Sequence, residues 1–264
     1  MEPITRNEIP LKIKKKCGDI VKISFPKQGC TSDVAFIETK EIDYVLKRAK
    51  GNQYRSWLEK EIEALEMLEK TSLPTPKVYE KVVQQELNQC WLLMERLKGI
   101  SLGEVLNTAV EKEQKEKLLF QYGKILKTIH LTPCPKEWQQ ANNIWLDDML
   151  DNAMINLTHY QVDGSPSLLQ KLKQNKPAFY PQRLIHGDFT VDNVLISDGK
   201  ISGVIDWSGG AYGDPRYDVA LAIRPKPFAF QTEEDRIHFF AGYGERLLNK
   251  MEYTYFAEGL YEFF

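Results

Sequence analysis

The segment that most constrains this chain is Leu184-Ile185-His186-Gly187-Asp188-Phe189-Thr190-Val191-Asp192-Asn193-Val194-Leu195-Ile196. Two short apolar runs, readable as strands, bracket a polar loop that carries Asp188 and, five residues on, Asn193. Ser197-Asp198-Gly199-Lys200 then gives a D-G hairpin signal. The returning run, Gly203-Val204-Ile205-Asp206-Trp207, sets a second acid at the end of an apolar strand. Two carboxylates and an amide at strand ends suit one task. One carboxylate takes a hydroxyl proton, while the amide and the other carboxylate offer oxygen to a hard divalent cation.

Upstream, alternating runs from Ile20 to Phe25, Val34 to Ile37 and Ile42 to Lys47 predict three strands, with Gly29 in the first turn and Thr31 and Ser32 after it. From about Tyr54 to Lys70, Trp57, Leu58, Ile62, Leu65 and Leu68 fall on one helical face. Leu73-Pro74-Thr75-Pro76 ends that helix. Lys77 to Val83 and Cys90 to Met94 predict two more strands. Glu61 lies inside the apolar helix face, where a carboxylate needs a partner because unpaired burial is costly. Lys47, at the end of the third strand, is the candidate; the alternative is that Glu61 reaches solvent at the edge of the lobe.

After Gly99 the character changes. Leu118, Leu119, Tyr122, Ile125, Leu126 and Ile129 repeat at helical spacing, the stretch from about Ala141 to Gln174 reads as mostly helical, and so does the chain from Tyr217 onward. The boundary falls near Glu95–Ser101. The expected fold class is therefore α+β, with an antiparallel-sheet lobe over 1–94, a hinge over 95–101 and a larger helical lobe over 102–264. A chain of 264 residues accommodates two such lobes.

Composition narrows the partners. Thirty-five Lys and Arg against 37 Asp and Glu leave a net charge of −2, which disfavours non-specific binding of nucleic acid. The four cysteines, Cys17, Cys30, Cys90 and Cys134, form no C-x-x-C pair, so they read as reduced, structural thiols rather than zinc ligands. No run approaches the roughly 20 apolar residues of a membrane span, and the expected location is cytoplasmic.

Asp188, then Asn193 at D-x-x-x-x-N spacing, then Asp206, follow the order of the protein-kinase phosphoryl-transfer template. The chain resembles the aminoglycoside phosphotransferase and choline-kinase-like superfamily, from about Ile20 to its C-terminus. His186-Gly187-Asp188 through Asn193 is similar to the family's H-G-D-x-x-x-x-N loop, Ile205-Asp206-Trp207 to its metal-binding strand end, and Gly213-Asp214-Pro215-Arg216-Tyr217-Asp218-Val219-Ala220 to its G-D-P-x-x-D segment. Lys60-Glu61 through Leu68 resembles its Glu-bearing helix, and Leu92 through Gly99 its hinge.

The resemblance implies a two-lobed, protein-kinase-like fold and a small-molecule kinase that moves the γ-phosphoryl group of ATP or GTP to a hydroxyl. It implies Asp188 as catalytic base or hydroxyl-orienting acid, Asn193 and Asp206 as Mg²⁺ ligands, and Lys47, paired with Glu61, as the phosphate contact. The main chain of Glu95 and Leu97 would meet the purine, and Gly29 with Thr31 or Ser32 would cover the phosphates. Asp218 and His186 would be structural. Only Gly29 stands where protein kinases have a glycine-rich loop, and the segment from Asp206 to Asp218 is too short for a protein kinase's activation loop.

For the acceptor, Tyr255 to Phe264 forms an apolar helix with Glu262 and a terminal carboxylate, similar to the ending of the aminoglycoside 3′-phosphotransferases. Arg224 is similarly placed to an arginine of that subgroup. Tyr261 departs from it, since the subgroup tends to have an acid there. Carboxylates suit a polycationic acceptor, which brings in Asp147 and Asp148, with Asp151, and the Glu233-Glu234-Asp235 cluster; each is equally readable as a solvated helix face. The expected substrate is a cationic aminoglycoside, which would make the activity one of antibiotic resistance. The alternatives are another small alcohol, such as choline, a thioribose, homoserine or a macrolide, or a non-catalytic pseudokinase.

Overall fold

The structure, a computed structural model, describes residues 3–26, 31–108, 110–139 and 144–264. The chain forms two compact units. The first comprises Met1–Lys98 and Ser202–Gly209, the second Gly99–Ile201 and Gly210–Phe264. The return of residues 202–209 to the first unit is not visible in the periodicity of the sequence, and it assigns Asp206 to that unit.

In the first unit, helix α1 (Leu11–Cys17) precedes strands β1 (Ile20–Ser24), β2 (Asp33–Thr39) and β3 (Asp43–Lys50). Helix α2 (Asn52–Leu68), β4 (Val78–Gln84) and β5 (Gln89–Glu95) follow. The five strands pair antiparallel in the order β1-β2-β3-β5-β4. Helix α1 is absent from the expectation above, because seven residues with four lysines show little periodicity. Together with the residues before it, it nevertheless covers one face of the sheet. Ile4, Ile9 and Ile13 join Ala35, Ile37, Leu46, Trp91 and Leu93 in one core cluster, so the sheet has a covered face there. Alternation then sends neighbouring cations to opposite faces. Arg48 is 1% exposed and meets Glu8 at 2.7 Å and Asp33 at 2.8 Å, with its guanidinium over the Trp91 ring. Lys47 faces α2.

The second unit holds β6 (Ile100–Ser101), α3 (Leu102–Leu106), α4 (Lys112–Leu131), α5 (Lys136–Gln139), α6 (Trp145–His159) and α7 (Pro166–Gln174). Then come β7 (Arg183–Ile185), β8 (Val194–Ser197), β9 (Lys200–Val204), of which residues 202–204 belong to the first unit, β10 (Ala211–Gly213), α8 (Pro215–Ala222), α9 (Glu233–Tyr243) and α10 (Lys250–Ala257). Ser101 starts α3 through a capping box with Glu104. Strand β9 begins at Lys200, one residue after the D-G turn, and ends before Ile205.

Helices α4 and α9 cross at glycines. A Cβ on Gly123 would lie 2.0 Å from the Phe239 carbonyl oxygen, and one on Gly242 would lie 1.9 Å from that of Phe120. The chain does not end as one helix. After α10 it turns at Gly259 into a short 3₁₀ turn, Leu260–Phe263, in which Leu260 and Phe263 are fully buried.

Candidate active site

The first unit builds a charged group. Lys47 Nζ donates to both oxygens of Glu61, at 2.7 and 2.9 Å, and also to Asp206 Oδ1. The lysine and the glutamate are buried, whereas the Asp206 side chain is 43% exposed. Burial alone would lower the lysine pKa; the charges of Asp206 and Glu61, and the hydrogen bonds to them, overcome it and hold the ammonium above its usual range. For Glu61, burial pushes the carboxyl up and Lys47 opposes it, so the glutamate's charge depends on the lysine. Asp206 adopts a φ of 64°, a left-handed conformation that aspartate tolerates better than most residues. The buried Trp207 behind it donates its indole N–H to Val204 O at 3.0 Å, and the turn it begins packs on α2.

In the second unit, backbone and side-chain donors and one buried acid hold the loop from His186 to Asn193. Asp218, 0% exposed in α8, accepts from the backbone N–H of His186 at 2.6 Å and of Gly187 at 2.8 Å. His130 Nε2 lies 3.2 Å from the same carboxylate, and His130 Nδ1 lies 2.8 Å from the Tyr243 hydroxyl. His186 Nδ1 accepts from the Asp188 N–H at 3.2 Å, and Gly187 takes a φ of 82°, which favours glycine. Phe189 stacks on Tyr122 at 4.8 Å, and the Tyr122 hydroxyl donates to Phe189 O at 3.2 Å. Asn193 Nδ2 donates to Asp188 O at 2.8 Å and to Asp188 Oδ2 at 2.9 Å. With its NH₂ turned to Asp188, the amide presents Oδ1 elsewhere.

The end of the chain meets the same aspartate. The Tyr261 hydroxyl donates to Asp188 Oδ1 at 3.3 Å. The Arg224 guanidinium lies over the Tyr261 ring, 4.5 Å from its centroid, and 3.6 Å from Glu262 Oε1. Phe264 is 42% exposed and its N–H donates to Tyr261 O. Sequence reasoning singled out Tyr261 only as a departure and gave it no role; its signal was an uncharged hydroxyl in place of an acid.

The remaining candidates sit as follows. Thr31 is exposed and Ser32 half-buried just before β2, and Gly29 lies outside the described residues. Glu95 closes β5 with its N–H donated to Lys77 O at 2.8 Å, while Leu97 packs on Gly203. Asp147 and Asp148 open α6. Asp147 pairs with Lys176 at 2.7 Å and lines a cavity of about 100 Å³ with Asp214 and Arg216, a grouping different from that around Tyr261. Glu233, Glu234 and Asp235 are engaged by Arg246, Lys112 and Lys115 respectively. Cys17, Cys90 and Cys134 are free and buried. Cys30 lies outside the described residues. No described helix is long and apolar enough to cross a membrane.

An antiparallel-sheet unit with a buried Lys–Glu pair, joined to a helical unit with this loop, defines an α+β, protein-kinase-like class of fold. Residues 22–256 match the sequence profile of the phosphotransferase enzyme family. The chain belongs to that family and is a phosphotransferase.

It is similar to an aminoglycoside 3′-phosphotransferase of Niallia circulans, 29% identical over 219 residues, which is 78% of this chain and 79% of that one. It is also similar to the homoserine kinase of Neisseria meningitidis serogroup B, 28% identical over 144 residues, or 52% of this chain and 47% of that protein. Among solved structures, the GDP and kanamycin complex of APH(2")-IIia matches with a TM-score of 0.68 at 19% identity, over 93% of this chain and 86% of that one. That likeness shows the fold.

Proposed function

We propose that this protein transfers the γ-phosphoryl group of ATP or GTP to a hydroxyl of an aminoglycoside-like molecule. Lys47, fixed by Glu61 and kept charged, contacts the triphosphate. Glu95 has its N–H committed to Lys77, and its carbonyl meets a nucleobase N–H. Thr31 or Ser32 covers the phosphates.

The donor set of the proposed metal site, a carboxylate on Asp206 and an amide oxygen on Asn193, fits a hard cation such as Mg²⁺ and not zinc. A bound Mg²⁺ would neutralise phosphate charge. Asp188 orients the acceptor hydroxyl for in-line attack and takes its proton, so that catalysis is positioning plus charge neutralisation. Asp218 and His186 fix the loop that carries it. Arg224, Glu262 and Phe264 line the acceptor side, and Asp147 and Asp148 are further acidic candidates.

The observation that carries the reaction is the clamping of Asp188 by Asn193 at the loop's own spacing. The acceptor class rests on similarity to the Niallia circulans enzyme over most of both chains. A second reading, a kinase of another small alcohol, is favoured by the similarity to homoserine kinase and by the pairing of Glu262 with Arg224, which lowers the negative charge available to a polycation. A screen of nucleoside diphosphate release with Mg²⁺ and ATP or GTP, over kanamycin, hygromycin B, a macrolide, choline and homoserine, decides between them. Turnover that depends on an aminoglycoside is expected; turnover with homoserine or choline alone would transfer the assignment to the second reading.

A further inference from the structure

In the proposed reaction the acceptor alcohol donates its proton to a carboxylate oxygen of Asp188. The structure already has a hydroxyl hydrogen-bonded to that carboxylate. Asn193 Nδ2 donates to Oδ2, and the Tyr261 hydroxyl donates to Oδ1 at 3.3 Å. The phenol is itself an alcohol, and its O–H occupies a station that an acceptor or a water molecule would use.

Tyr261 is not on a loose tail. Its neighbours Leu260 and Phe263 are fully buried. The Glu262 carbonyl accepts from Gly164 N–H at 2.8 Å, and that of Phe263 accepts from Asn156 Nδ2 at 2.9 Å. Gly164 allows this docking, since a Cβ there would come within 2.4 Å of the Phe263 ring. Arg224 covers the tyrosine ring and pairs with the adjacent Glu262. Burial, followed by the charge of Asp188, holds the phenol above its ordinary pKa of 10.0, so it remains a donor through the neutral range. The bond to Asp188 is long for an O–H···O contact, which makes it readily exchanged for a better-placed hydroxyl.

We propose that the Tyr261 hydroxyl is a placeholder for the acceptor: it holds Asp188 Oδ1 until substrate arrives, keeps water from that oxygen, and yields it to the incoming alcohol. The inference rests on the role proposed above for Asp188. The reaction it suppresses is hydrolysis. The oxygen of a water molecule oriented by Asp188 attacks the γ-phosphorus, and the bond from that phosphorus to the β–γ bridging oxygen breaks. The nucleoside diphosphate departs, inorganic phosphate forms, and the water proton passes to Asp188 and on to solvent.

The test is phosphate release from ATP and from GTP, with Mg²⁺ and no acceptor, by the wild type and by Tyr261→Phe. The variant keeps the ring and its contact with Arg224 and loses one hydroxyl, and an unchanged melting temperature establishes that the tail remains docked. Acceptor-free hydrolysis should rise about five-fold, the population change that one hydrogen bond of ordinary net strength controls. A purely structural tyrosine gives no gain. Hydrolysis by the variant at or below the wild-type rate, including no hydrolysis by either protein, overturns the proposal. Transfer from the same nucleotides to kanamycin, measured alongside on the wild type, separates the two claims. Transfer without a rise in the variant refutes the placeholder alone, and a rise without transfer refutes the aminoglycoside acceptor alone.

Discussion

Lys47 and Asp188 are held by different chemistry. Lys47 sits between two carboxylates, all of the attraction being ionic, and two of the three groups are buried. Asp188 sits between an amide and a phenol, and its loop is tied through backbone N–H groups to Asp218. The difference fits the roles proposed for each. A group that binds a polyanion has to keep its full charge when buried, and only counter-charges achieve that. In the proposed role, a carboxylate that accepts a proton needs orientation, and the Asn193 amide and the Tyr261 phenol contribute to it.

Asp188→Asn tests the oriented side and should have the largest effect. The amide cannot accept the hydroxyl proton, and phosphoryl transfer should fall by about 10²–10⁴-fold in kcat. A loss of only a few-fold in a steady-state assay would remove Asp188 from the centre of the account. Lys47→Met tests the ionic side. It strands Glu61 in a buried site, and stability measured by urea unfolding should drop by about 3–5 kcal/mol. Lys47→Met combined with Glu61→Leu should regain most of that stability and none of the activity. If the double variant is no more stable than the single one, the cost lies in packing and not in the stranded charge.

Asp218→Asn should be milder. The amide keeps one oxygen for the two backbone N–H groups and places its NH₂ near one of them, with a loss of about 1–3 kcal/mol and a lower kcat at unchanged nucleotide affinity. An unchanged kcat would show that the loop does not need that acid.

The smallest effect belongs to Glu8. Hydrogen bonds from Thr5, side chain and backbone, and then from Arg48, hold its carboxyl at about 2 against an ordinary 4.5. Because the folded value is depressed, its contribution is present above pH 4.5 and fades as pH falls toward 2. Comparing acid unfolding of Glu8→Gln with the wild type should show convergence of the two melting temperatures over that window. A difference that persists below pH 2 would mean that Glu8 acts through packing.

The two sides also differed in how far the sequence revealed them. Glu61 on an apolar helix face and Lys47 at a strand end were enough to expect their pairing, because both periodicities are local. The loop from His186 to Asn193 was legible for the same reason. What escaped depends on chain return and on short elements. Asp206 joins the first unit because residues 202–209 fold back into it, an association between distant stretches of chain that no local period encodes. Helix α1, seven residues long, is fixed by the core it covers, through Ile13 and Cys17, and not by its own propensity. The C-terminal segment reads as one apolar helix, but the structure breaks it at Gly259 so that Leu260 and Phe263 are buried and Tyr261 meets Asp188. Its apolar residues predicted the burial; the change from an α-helix to a 3₁₀ turn moved the tyrosine from a departure in a pattern to a contact with the central aspartate.

The division of labour between the ionic group and the oriented aspartate is tested most directly by calorimetric titration of Mg²⁺-ATP and Mg²⁺-GTP into Asp188→Asn and Lys47→Met. The account predicts that Asp188→Asn binds the triphosphate as the wild type does while transferring almost none of it, and that Lys47→Met, which remains folded in the same titration buffer, binds it far more weakly. Loss of nucleotide binding in Asp188→Asn, or full binding in Lys47→Met, would contradict it.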